Sequence, residues 1–212
     1  MSWRKHICII LPLVLLTVLI GGCSDDPSPR LNYTSAIQLR NGNFWIYQAT
    51  STDLFSGIKI NQLDDSVFVE KDTIIDQAVY FIIKNLFGRK ELKREMSGTI
   101  VDQRGNIEFS GTNFSDTLYR DPNLGFYGLM EKEEVEITVP AGVFNTVSFV
   151  LLRRNSPGHH SDVDSSNPSY YNKEFSVAKR VWYARNIGVV KSVLYFGNVS
   201  GFELNLKKYN AR

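Results

Sequence analysis

The chain is poor in the side chains that most protein chemistry needs. Its 212 residues include two cysteines, Cys8 and Cys23, and three histidines, His6, His159 and His160. No C-x-x-C or H-x-x-x-H spacing is present to seed a zinc site. No serine sits in a G-x-S-x-G setting, and beyond His6 a Ser-His-Asp arrangement has only the His159–His160 pair to draw on. Asp162-x-Asp164-x-Ser166 behind that pair invites a calcium-loop comparison, but Asn167 replaces the sixth-position glycine and Lys173 the closing glutamate. No glycine-rich loop follows a strand-like run to cradle a phosphate. The paired carboxylates Asp25–Asp26, Asp64–Asp65 and Glu133–Glu134 are poor acid–base dyads, because neighbours on a strand point to opposite faces. An excess of one charge is missing too. Lys and Arg number 24 against 22 Asp and Glu, without a basic cluster, so no nucleic-acid partner is expected. The expectation is a protein that is not an enzyme and uses no cofactor and no metal.

The one long hydrophobic run lies at the N-terminus. Ile7–Ile20 gives 14 uncharged residues interrupted by Pro12, against the roughly 20 that cross hydrocarbon. Arg4 and Lys5 precede it, and Ile20-Gly21-Gly22-Cys23 closes it with small residues. The segment resembles a bacterial lipoprotein signal with its lipobox, although leucine is commoner where Ile20 stands and alanine or serine where Gly21 stands. That resemblance implies diacylglycerol on the Cys23 sulfur, cleavage before Cys23, and acyl chains of the palmitate kind. Two or more chains anchor a protein stably where one does not. The expected organisation is a signal peptide over 1–22, a lipidated polar tether over 23–37 and a single domain over 38–212. Ser24-Asp25-Asp26 resembles the acidic tag that directs some lipoproteins to the cell surface. With Pro27 and Pro29 it reads equally as an ordinary spacer. The expected location is the outer membrane, lipid-anchored, with cell-surface exposure the finer reading.

Loss of the signal removes Cys8, Arg4 and Lys5. No disulfide and no free thiol nucleophile then remain, net charge falls to about zero, and stability must come from core burial.

Beyond the tether the pattern is β throughout. Glu134–Val139 and Phe202–Lys207 alternate apolar with polar residues. Phe44–Tyr47, Val79–Ile83, Val147–Leu152, Val181–Tyr183 and Val189–Phe196 are short apolar runs rich in aromatic and β-branched residues, as in strands covered on both faces or in a curved sheet. Arg104-Gly105-Asn106 predicts a hairpin between Thr99–Asp102 and Ile107–Ser110. Helix signals are scarce. Lys90–Met96 reads as a short helix or as an exposed charged strand, and Leu124–Glu133 has room for a helical turn. Ser156–Ser169 is the one long loop. The fold class expected is all-β, an antiparallel curved sheet (half-barrel) or a sandwich, with few or no helices.

Three motifs follow in order: Asn41-Gly42-Asn43-Phe44-Trp45-Ile46-Tyr47, Val139-Pro140-Ala141-Gly142-Val143-Phe144, and Trp182-Tyr183-Ala184 with Ile187-Gly188-Val189-Val190-Lys191. They resemble a broad group of uncharacterised bacterial lipoproteins over roughly residues 38–206. More distantly, that group is similar to the half-barrel of the periplasmic lipoprotein carrier LolA and its relatives. The resemblance implies a sheet wrapped around an apolar cavity, with Phe44, Trp45, Tyr47, Trp182 and Tyr183 as candidate ligand contacts. Read from the residues alone, the same aromatics are core packing.

Two functions follow as expectations. One is a non-enzymatic binding module for a lipid or other hydrophobic ligand. The other is a structural or accessory subunit that meets another envelope protein. A cavity of several hundred Å3 favours the first, and a filled core with a contiguous exposed apolar patch favours the second.

Overall fold

A computed structural model describes residues 39–53, 56, 58–86, 88–155, 174–196 and 200–211. The signal segment 1–22, Cys23, the tether 23–37 and the loop carrying His159, His160, Asp162 and Asp164 lie outside the described residues. Leu31–Arg212 forms a compact unit. Every strand and both clusters of buried residues fall inside it, so it contains the contacts that hold it together.

The strands are β1 (Phe44–Asp53), β2 (Lys59–Ile75), β3 (Ala78–Lys84), β4 (Lys90–Met96), β5 (Thr99–Asp102), β6 (Ile107–Ser110) and β7 (Tyr119–Asp121). They continue with β8 (Phe126–Met130), β9 (Val135–Val139), β10 (Gly142–Arg154), β11 (Phe175–Ala184), β12 (Gly188–Phe196) and β13 (Ser200–Asn210). All pair antiparallel in one sheet of order β6-β5-β4-β3-β2-β1-β13-β12-β11-β10-β8-β7, with β9 off this path on β10, and no helix occurs among the described residues. The sheet curls into a nearly closed barrel. Sequence neighbours pair almost throughout, and the first strand meets the last in the middle of the order. The open seam therefore falls between β6 and β7, which follow each other in the chain. Across it the Tyr183 hydroxyl of β11 donates to the Glu108 carbonyl of β6 at 3.2 Å, and the Phe109 and Tyr183 rings lie 4.6 Å apart.

Bulges supply the curvature, since an extra residue on one strand bends it and increases its twist. Glu70 in β2, Glu108 in β6, Ala178 in β11, Val190 in β12 and Lys207 in β13 are each such an extra residue against a neighbouring strand.

One end of the barrel is covered by its own hairpin. The first half of β10 pairs with β9 and its second half with β8, so the tip of the β9–β10 hairpin runs past the end of β11. There the Ala141 N–H donates to the Leu206 carbonyl at 2.9 Å, and the Phe144 ring stands edge-on to Tyr209. Val139 is buried in the main core and Ile137, Ala141 and Phe144 pack against it.

The all-β antiparallel expectation is met, and the curved sheet replaces the sandwich alternative. Lys90–Met96 is strand β4, not a helix. Residues 122–125 form turns before β8, so Leu124–Glu133 holds no helix.

Candidate ligand cavity

Inside the barrel lies a cavity of about 590 Å3. Its walls are mostly apolar: Trp45 and Tyr47 from β1, Phe149 and Leu151 from β10, Val181 and Tyr183 from β11, Leu194 from β12, and Phe202 and Leu204 from β13. These positions recur every second residue along their strands, as an inward sheet face requires.

Three of the aromatic wall residues are held by hydrogen bonds to strands or turns that are not their ladder partners. The Trp45 indole N–H donates to the Ile187 carbonyl at 2.6 Å, and the Tyr47 hydroxyl donates to the Val189 carbonyl at 2.9 Å. The third is the Tyr183 bond to Glu108. Burial pushes the phenols of Tyr47 and Tyr183 well above their usual value, so both stay neutral donors. The Ile187 carbonyl sits in the β11–β12 turn, which closes through Asn186 at φ 61° and Gly188 at φ 99°. Three motifs distant in sequence therefore meet at one end. The first supplies Trp45 and Tyr47, the third supplies the carbonyls they bond, and the second is the hairpin tip docked on Leu206.

The same cavity also carries charged groups. Glu91 and Lys93 of β4 and Glu108 of β6 line the cavity together with Lys179 of β11. The Lys93 ammonium lies 2.6 Å from Glu108 and 3.2 Å from Glu91, and the Asn85 amide donates to Glu91 at 2.6 Å. Burial opposes charge on Glu91, but Lys93 and Asn85 outweigh it and hold the carboxyl below its usual range. Burial likewise works against the Lys93 ammonium, and the two glutamates more than offset it, raising its pKa. Lys179 differs. It makes no hydrogen bond or ion pair among the described residues, and burial lowers its pKa with help from the Lys93 charge, against the pull of Glu108 and Glu91. The side chain is nevertheless accessible. Both observations fit an amine standing in the cavity, wet but walled by protein.

The sequence candidates divide. Trp45, Tyr47 and Tyr183 come together in the cavity wall. Phe44 lies half-buried, paired in register with Phe68 and Asn210, and does not line the cavity. Trp182 stands under the cations of Arg180 and Lys191, at 5.9 and 5.7 Å from its ring. It lines a second, more polar cleft of about 870 Å3 with Glu131 and the 114–117 loop. Arg180 there is already paired with Glu131 at 2.9 Å. Among the described residues no group of three or more His, Cys, Asp or Glu side chains is arranged to hold a metal ion.

Sequence reasoning missed Glu91, Lys93, Glu108 and Lys179. Alternation along Lys90–Met96 identifies a polar strand face but not that it turns inward. The spacing Lys179-x-Val181-x-Tyr183 carried a usable signal, a lysine in phase with two wall residues.

No family model matches the chain, and no curated protein matches it either. Among solved structures it is similar to one from Bacteroides fragilis described as a "putative exported protein with YmcC-like fold". The match has 13% identity and a TM-score of 0.42, covering 84% of this chain and 99% of that one. It is also similar to a "putative lipoprotein" from Parabacteroides distasonis at 15% identity and a TM-score of 0.41, over 84% of this chain and 100% of that one. Likeness at that level does not extend to function.

Proposed function

We propose that the protein is a lipid-anchored envelope protein that holds a hydrophobic ligand inside its barrel and carries out no chemistry on it. The observation that carries this reading is the cavity of about 590 Å3 with its mostly apolar wall. Ligand pockets run from about 300 to 1,000 Å3 and combine such walls with a few convergent polar groups. Cys23 serves as the anchor in the outer membrane, and the 23–37 tether holds the barrel off the bilayer, facing the cell surface.

Trp45 makes the reading testable. In residues 31–212 carrying Trp182→Phe it is the only tryptophan left. Titration with 1-bromododecane, an uncharged quencher, is expected to quench its fluorescence saturably at one molecule per protein. Linear, collisional quenching no greater than for free indole contradicts the reading.

A second reading, an accessory subunit that docks on another envelope protein, is supported by the tip of the β2–β3 hairpin. Ile74 and Val79, paired in register, are 72% and 49% exposed there. Replacing Ile74 with Asn leaves quenching of Trp45 unchanged if the tip serves a partner and the cavity a ligand.

A further inference from the structure

We infer that the cavity takes a single-chain amphiphile with one anionic carboxylate head, and that Lys179 is the residue that selects that head. This rests on the binding reading above and names the ligand class for the same site.

The argument begins with how Lys179 comes to face inward. In β10, Leu151 lines the cavity, while Val150 and Leu152 belong to a separate buried cluster on the other face of the sheet. Val177 of β11 packs in that outer cluster. Strict alternation would put Lys179 on the same face as Val177. The bulge at Ala178 breaks the alternation, pairing Leu152 with Val177 but Leu151 with Lys179. Lys179 thereby joins Leu151 and Leu194, its two register partners, on the cavity wall. Glu108 is itself the bulged residue of β6. Bulges concentrate where a side chain must be re-aimed, and here two of them add Lys179 and Glu108 to the charges that Glu91 and Lys93 of β4 already bring to the cavity.

The charges are unevenly satisfied. Lys93 takes both glutamates, at 2.6 and 3.2 Å, and Asp102 is occupied with its own turn, accepting from the backbone of Arg104 and Asn106. Lys179 is left with three N–H donors and no acceptor among the described residues. Lys179 is accessible and lines the cavity, so an entering ligand can supply the missing partner. An acceptor on the ligand does so, and a carboxylate does it best because charge-assisted hydrogen bonds are the stronger kind. The nearby Glu91, Glu108 and Asp102 disfavour a second negative charge, which selects a monoanion over a phosphate dianion.

Size sets the remainder. At about 30 Å3 per water-sized group, the cavity holds roughly 20 non-hydrogen atoms. That matches one alkyl chain with a compact head. The tail then lies against Trp45, Phe149, Leu194, Phe202 and Leu204 on the apolar wall.

The test compares heads on one tail. Residues 31–212, wild type and Lys179→Met, are titrated with myristate, 1-tetradecanol and tetradecylamine, with binding read from Trp45 in the Trp182→Phe background. The expected result is that wild type binds myristate at least tenfold tighter than the alcohol and binds the amine weakest. Lys179→Met is expected to bring myristate to the level of the alcohol while leaving alcohol affinity within about twofold. Thermal unfolding without ligand confirms that the variant folds. It is expected to melt no lower than wild type, because the substitution removes an unpaired charge. If myristate keeps its advantage in Lys179→Met, or if the alcohol matches it in wild type, the carboxylate assignment is overturned while the cavity reading stands. If none of the three binds wild type, both fall.

Discussion

At the scale of single residues, the barrel depends on a few contacts between strands or turns that are not ladder neighbours. The Trp45 indole satisfies the carbonyl of Ile187, a residue 142 positions away in sequence. Trp45→Phe keeps most of the packing but leaves that part-buried carbonyl without its partner, and loss of a hydrogen bond of this kind costs about 0.5–1.5 kcal/mol. Urea unfolding of the variant should show a loss of that size with an unchanged m-value. Gly128 in β8 is constrained from the other direction. A Cβ there would lie 2.5 Å from the Phe149 ring and 3.0 Å from the Tyr119 Cβ. Gly128→Ala must displace Phe149, a cavity wall residue, and overpacking of this kind costs about 1–3 kcal/mol. Calorimetry should show the lowered melting temperature, and the same variant should bind ligand more weakly because the displaced ring moves along the wall. Trp45 and its neighbours Phe44 and Tyr47 were legible in sequence as core aromatics. Which of them bound a cavity was not, because that depends on the face each bulge assigns.

At the scale of elements, legibility follows how far local pattern decides structure. The β5–β6 hairpin has the bounds that the sequence predicts, because a Gly-containing turn between two short apolar runs specifies register locally. Strand β2 escaped notice, since Asp64-Asp65 and Glu70-Lys71-Asp72 look like loop and the Glu70 bulge shifts its alternation midway. Strand β4 was legible as polar, but an inward polar face and an outward one have the same period. Its charges predict a pH dependence. The Glu91 carboxyl is held below its ordinary 4.5 in the folded state. The stability it adds is therefore present above that value and lost as pH falls through the folded pKa. Glu91→Gln should flatten the drop in melting temperature between about pH 5 and 3 relative to wild type. Lys93 has the opposite sign: its raised pKa adds stability at neutral pH that is lost only at strongly alkaline pH.

At the scale of the barrel, a single sheet whose first and last strands pair in the middle of the order leaves one seam, and that seam is bridged by the Tyr183–Glu108 bond and the adjoining ring contact. The three sequence motifs close one end of this barrel, which explains why they are structural rather than chemical. What they enclose is the space the proposed function requires. Its volume could not be read from the sequence, since an empty interior and a filled one use the same alternating aromatic and β-branched residues.

Native mass spectrometry of residues 31–212, secreted to a periplasm and purified without detergent, tests the central claim that this space holds a hydrophobic ligand. The account predicts a reproducible mass excess on the folded monomer that disappears after organic extraction, with a single-chain acid in the extract. A folded monomer of bare polypeptide mass in every preparation would contradict it.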